Sequence, residues 1–134
     1  MKFSTKGRYS LETMVFLATS DTSCSIRSIS DATGISSGYL EQLMIPLRRA
    51  GLVESERGVQ GGYRLARTGI TCLDVLNASE GKFQPVPCNG CKREKCKTHA
   101  TWSLFKNNVN EFARAITLES LASHLVESEQ GGGI

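Results

Sequence analysis

The chain has 134 residues, of which 40% are hydrophobic, enough for one buried core and too few for two domains of ordinary size. Its formal net charge is +3, and it is unevenly spread: residues 1–70 carry nine Lys or Arg against six acids, residues 81–99 carry five against one, and the remainder is mildly acidic. No apolar run approaches the roughly 18 residues of a membrane span, and Met1 leads into Lys2, Phe3 and Ser4 without an apolar leader, so a cytoplasmic protein with reduced thiols and no membrane partner is expected.

The first predicted element is a helix from Arg8 to Ser20, with Tyr9, Met14, Phe16, Leu17 and Ala18 among its apolar positions. Lys2, Lys6 and Arg8 near its start are candidates for phosphate contact, because cations and helix-start amides both favour anions, with a solvated basic end as the alternative. Cys24 then falls in a polar stretch without ligand-like neighbours and reads as an ordinary thiol.

Residues 25–52 predict two short helices joined by a tight turn. Ser28 with Asp31 resembles a capping box, Gly34 suits the end of the first helix, and Ser36 or Ser37 suits the start of the second. In the second helix Leu40, Leu43, Leu47 and Ala50 recur at three- and four-residue spacing. That stripe faces the core and leaves Ser37, Gly38, Tyr39, Glu41, Gln42 and Arg48 outward. Pro46 removes a backbone donor and predicts a kink or a loosened last turn. The pattern is a helix-turn-helix.

Leu52–Glu56 and Tyr63–Ala66 read as strands joined by R-G-V-Q-G-G, so the pair of helices acquires a β-hairpin and becomes a winged helix. In such a wing Arg57 would reach a minor groove, while Gly58, Gly61 and Gly62 would let the backbone approach phosphates. Double-stranded DNA is the partner these features suggest, with no small-molecule substrate. Thr71 predicts the cap of a helix from Cys72 to Ser79, in which Leu73, Val75 and Leu76 are buried and Cys72 is a small core residue.

The densest chemistry follows. Cys88, Cys91, Cys96 and His99 fall within twelve residues, and Asn89-Gly90 supplies a turn that brings two thiols together. Thiolates and imidazoles ligate zinc and iron–sulfur iron, so a metal or cluster site is expected, and the order of residues 82–97 is attributed to it. Disulfides are disfavoured by the reducing compartment and by a histidine at ligand spacing. A thiol oxidoreductase is disfavoured because no βαβ pattern surrounds the Cys-x2-Cys and no acid–base constellation lies beside it; no catalytic residue is assigned. Beyond His99, the residues Trp102, Phe105, Val109, Phe112 and Ile116 step by 3, 4, 3 and 4, the seam of a long helix meeting a partner helix, and a homodimer is expected. Thr117 caps a last helix over residues 118–126, in which His124 reads as a surface or packed residue, and residues 127–134 read as a frayed tail.

Four stretches give the chain a specific likeness: S-T-K-G-R-Y near the start, Y-L-E-Q-L in the second helix of the pair, G-L-V-x-S-x-R-G with G-G-Y in the wing, and K-C-x-T-H-A-x-W closing the cysteine segment. On these motifs residues 1 to about 125 resemble the winged-helix iron–sulfur transcriptional regulators of the IscR, NsrR and RirA type, and the IscR-like members in particular. The resemblance implies a mainly α fold: a winged helix-turn-helix domain at 1–80, a cluster-binding loop at 81–99, a dimerisation helix and C-terminal helix at 100–128, and a flexible tail at 129–134. It implies a homodimeric regulator, a repressor in expectation, that binds palindromic operators and controls cluster-assembly genes. A [2Fe-2S] cluster would sit on Cys88, Cys91, Cys96 and His99. The Cys-x2-Cys-x4-Cys spacing is tighter than the x5 spacings of IscR-like members, so [4Fe-4S] and a structural zinc, the latter giving a constitutive DNA binder, stand as alternatives. Arg8 occupies a position where NsrR-like members offer an acidic ligand, which speaks against a [4Fe-4S] nitric-oxide sensor.

Overall fold

A computed structural model describes residues 4–59, 61–83 and 97–130, with side chains as far as residue 124 in the last stretch. Cys88, Cys91 and Cys96 lie outside the described residues, as do most of the loop predicted at 81–99 and the last four residues of the predicted tail.

The first helix, α1 (Thr5–Ala18), starts three residues before the sequence expectation, because Ser4 rather than a later residue is its N-cap; the Ser4 hydroxyl accepts from the Gly7 amide at 3.3 Å. In α2 (Ile26–Thr33) the cap is Ser25, not Ser28: its Oγ accepts from the Ser28 amide at 3.0 Å, so Ser28 lies within the first turn. Gly34 ends α2 at φ 78, the left-handed conformation that only a residue without Cβ takes without strain. Ser36 then caps α3 (Ser37–Arg49) by accepting from the Tyr39 amide.

Pro46 does not break α3, which continues to Arg49 and closes with the Ala50 amide on the Pro46 carbonyl at 3.0 Å. Proline forfeits one donor and crowds the preceding turn. The carbonyl that loses its partner belongs to exposed Gln42, where water can serve it. Leu40, Leu43 and Leu47 are buried as expected, Met44 joins them, and Ala50 is instead the exposed C-cap.

The strands β1 (Val53–Glu56) and β2 (Gly62–Leu65) pair antiparallel, with Val53 opposite Leu65 and Glu56 opposite Gly62. A third short stretch joins them. Cys24 exchanges both backbone bonds with Tyr63, at 2.8 and 2.7 Å, and is buried in the core instead of lying in a polar loop. This bridge ties the connection between α1 and α2 to the wing.

Helix α4 (Cys72–Glu80) opens on a reciprocal capping box, with Thr71 Oγ1 accepting from the Asp74 amide and Asp74 Oδ2 from the Thr71 amide. It is followed by α5 (His99–Ala115) and α6 (Leu118–Gln130), the last running four residues past its expected end. Residues 116–118 pair with residues 70–72: Cys72 donates to the Ile116 carbonyl at 2.8 Å and Leu118 to the Ile70 carbonyl at 2.9 Å. That pairing brings Leu118, fully buried, into one core with Met14, Ile29, Leu40, Leu43, Leu47, Ile70 and Val75, and α6 packs along α1. By contrast α5 packs chiefly on α4, and Ala113 is its one buried residue.

Candidate nucleic-acid interface

The helix-turn-helix is set by packing on one side of α3. Burial of Leu40, Leu43, Met44 and Leu47 fixes the rotation of the helix, and Ser37, Gly38, Glu41, Gln42, Arg48 and Arg49 are exposed. Tyr39 departs from its expected position. It is half-buried and meets Tyr9 edge to face, ring centres 5.8 Å apart at 88°, so its ring supports the first turn of α3 against α1 instead of standing free. Lys6, exposed and one turn before Tyr9, is carried toward the same end of α3. Arg8 points elsewhere, into a groove between α1, α2 and α6 that also holds Glu12 and His124.

Two residues of this surface escaped the sequence reading. Arg49 adds a second cation to the last turn of α3. Ile45 is 52% exposed amid polar neighbours. Its signal was available, since it stands four residues after Glu41, on the face opposite the leucine stripe.

In the wing, Arg64 bridges both Glu54 at 3.2 Å and Glu56 at 3.0 Å, a single cation between two carboxylates, so this flank of the hairpin stays net acidic. Arg57, Gly58 and Val59 are exposed at the tip. The wing glycines divide by role. A Cβ on Gly58 would meet open space, whereas one on Gly61 would overlap the Glu56 carbonyl and one on Gly62 the Cys24 carbonyl. Gly61 therefore serves the close backbone packing of the hairpin itself and Gly62 the approach of the α1–α2 connection to it, while Gly58 keeps its face open.

The described end of the cysteine segment is a locked turn. Trp102 donates from its indole Nε1 to Thr98 Oγ1 at 2.9 Å and from its amide to the Thr98 carbonyl at 3.2 Å, which accounts for the spacing of T-H-A-x-W. His99 is half-buried in the first turn of α5, with Nε2 3.4 Å from Ser103 Oγ. Three thiols and an imidazole are the donor count for a tetrahedral ion or for the terminal ligands of a cluster, and the sequence places all three cysteines directly before this turn.

The aromatic seam of α5 is uncovered. Phe105 is 48% exposed and Phe112 71%, with Leu104 at 61% beside them; Trp102, Val109 and Ile116 are half-buried. Leu104, Phe105, Val109, Phe112 and Ile116, but not Trp102, line an open apolar groove of about 750 Å³ together with Cys72 and Leu76 of α4. Cys72 is thus a groove residue rather than a core one, and burial pushes its thiol pKa up, which keeps it in the neutral form.

Residues 3–124 match the Rrf2 family, described as iron-dependent transcriptional regulators. The chain is 41% identical to the HTH-type transcriptional regulator CymR of Bacillus subtilis over 128 residues, covering 92% of this chain and 91% of the relative. It is 37% identical to IscR of Vibrio vulnificus over 131 residues, covering 92% and 78%. Its structure is similar to that of B. subtilis CymR, the global cysteine regulator (TM-score 0.80, 40% identity, 92% of this chain and 98% of that one), and to T. potens IscR (TM-score 0.77, 36% identity, 93% and 88%). An exposed polar recognition helix beside a glycine-turned wing, on a chain that matches regulators over nearly its whole length, makes this a winged-helix transcriptional regulator and not an enzyme, a member of the Rrf2 family.

Proposed function

We propose that the protein is a homodimeric, iron–sulfur-dependent repressor of palindromic operators, its cluster of the [2Fe-2S] type held by Cys88, Cys91, Cys96 and His99. The observation that carries this reading is the donor set itself, three thiols and an imidazole leading into the turn that Trp102 locks at the start of α5. The likeness to IscR supports it. When bound, such a group cross-links the segment and supplies a centre that answers to iron, oxygen or electrons.

The remaining steps belong to the chain's own residues. α3 enters the major groove, where Gln42 pairs with adenine and Glu41 accepts from a cytosine amino group and is repelled by guanine's acceptors. Ile45 lies against a thymine methyl. Lys6, Arg48, Arg49 and Arg57 hold phosphates or the minor groove. The exposed face of α5 meets the same face of a second copy, which spaces two recognition helices over two half-sites.

Anaerobic purification tests the reading. A coloured protein with iron and sulfide in equal amounts, colourless after Cys91→Ala, is the expected result; a colourless wild-type protein holding one zinc per chain would replace the cluster with a structural ion. The identity to CymR, a global cysteine regulator, supports a second reading of the target genes alone, that they serve cysteine metabolism instead of cluster assembly. Selection of bound fragments from genomic DNA separates the two.

A further inference from the structure

The last residue of α4 reaches across the molecule to the first turn of α1. Glu80 Oε1 accepts from the Ser4 amide at 2.7 Å and from the Ser4 hydroxyl, contacts spanning 76 positions of sequence. The carboxylate lies over Gly7, where a Cβ would overlap it. A negative charge at a helix N-terminus is favourable, so this contact helps to set where α1 begins. Five residues beyond Ser4, the Tyr9 ring sits edge-on to Tyr39, whose amide is held by the Ser36 cap of α3. In the other direction Glu80 is followed at once by Gly81, at φ 83, and then by the segment that carries the cysteines. Glu80 therefore precedes that segment in sequence and touches the start of α1 in space, and the S-T-K-G-R-Y stretch holds the residues concerned: Ser4 the donors, Gly7 the space, Tyr9 the contact with α3.

We propose that Glu80 is a positioning residue that couples the state of the cysteine segment to DNA affinity by holding the first turn of α1, and through the Tyr9–Tyr39 contact the first turn of α3. This rests on the reading that the segment binds a metal centre which alters DNA binding. A movement of the segment that shifts Glu80 shifts the α1 start with it. Without the carboxylate, α1 and α3 keep their core packing through Met14, Leu40 and Leu43 and lose only this link.

Gly7→Ala gives a probe that a purely stabilising role would not track. Alanine raises helix propensity within α1, yet its methyl occupies the space of the Glu80 carboxylate, so helix stability and the link move in opposite directions. Glu80→Gln keeps an acceptor for Ser4, whereas Glu80→Ala removes it. The measurement is operator affinity of each full-length protein, first as purified anaerobically with its metal and then after chelation, with metal content matched to wild type. Couplings between sites commonly amount to about 5- to 150-fold in affinity, and a wild-type ratio of about fivefold or more is expected. Glu80→Ala and Gly7→Ala should bring the ratio below about twofold, and Glu80→Gln should retain most of it. Amide hydrogen exchange over residues 5–9 should slow on metal binding in wild type and Glu80→Gln and be indifferent to it in the other two. A wild-type ratio preserved in Glu80→Ala or in Gly7→Ala overturns the proposal while leaving metal-dependent binding intact. A ratio of one in the wild type removes metal-dependent binding itself, and the proposal with it.

Discussion

Helices α3 and α5 are both amphipathic, yet they spend their apolar faces differently. In α3 the leucine stripe is consumed by the chain's own core, and the outward face is polar apart from Ile45. In α5 the large aromatic residues face outward, and the inward contact is a single buried alanine. A helix whose apolar face is already covered presents chemistry for recognising a polar surface; one whose apolar face is bare is an unfinished packing surface. The difference teaches that equal periodicity in sequence does not mean equal placement, because the seam of α5 repeats as cleanly as the stripe of α3.

The largest expected effect tests the covered side. Leu43→Ala removes a fully packed side chain from α3 and should lower unfolding free energy by about 2–5 kcal/mol, read as a lower denaturant midpoint with an unchanged slope. A loss under about 1 kcal/mol would mean that the stripe is not core. The corresponding change on α5, Phe105→Glu with Phe112→Glu, should leave the helical content of the monomer intact. It should abolish association in sedimentation at micromolar concentration and reduce operator binding to weak single half-site contact. A wild-type protein that sediments as a monomer at that concentration would remove the asymmetry as drawn.

The two regions were also unequally legible. The α3 stripe, the Ser36 cap, the Gly34 terminus and the hairpin followed from local patterns, because each is decided by residues within one or two turns. The last turn of α3 stays closed past Pro46, where a loosened turn was one expectation, because proline's cost depends on whether the orphaned carbonyl can reach water, which spacing does not report. Cys24 looked like a loop thiol because its bridge to Tyr63 spans 39 positions, and the Glu80–Ser4 contact spans more. Gly61 and Gly62 were legible as a tight turn but not as the place where two stretches of the chain's own backbone meet. Arg8 shared the basic start of α1 with Lys6, but the helix rotation that separates them is fixed by packing against α2 and α6. The resemblance to iron–sulfur regulators rested on motifs whose structural parts are now visible: the Trp102–Thr98 lock, the Ser4 cap and the Cys24 approach at Gly62.

On the recognition side, charge and readout should separate by salt. Arg57→Ala at the exposed wing tip should weaken binding at every operator sequence and flatten the slope of log affinity against log salt by about one charge. Glu41→Ala should leave the slope alone and relax discrimination at one base pair, by about 1–3 kcal/mol. Equal losses across an operator panel for Glu41→Ala would show that this carboxylate does not read bases.

The smallest effect isolates the one apolar side chain on the outer face of α3. An exposed isoleucine is costly only if it stays in water, and in a major groove lined by polar base edges the apolar partner available to it is the thymine C5-methyl. The interaction can be removed from either side. Replacing thymine by deoxyuridine deletes the methyl while keeping every hydrogen-bonding group, and Ile45→Ala deletes the apolar atoms that would cover it. Burying one methyl is worth about 0.8 kcal/mol, close to a fourfold change in affinity. Deoxyuridine at one half-site position should therefore weaken the wild type by about that factor and leave Ile45→Ala unaffected, a non-additive pair in a double-mutant cycle. Additive losses at every thymine would place Ile45 outside the groove and confine base reading to the first two turns of α3, through Glu41 and Gln42.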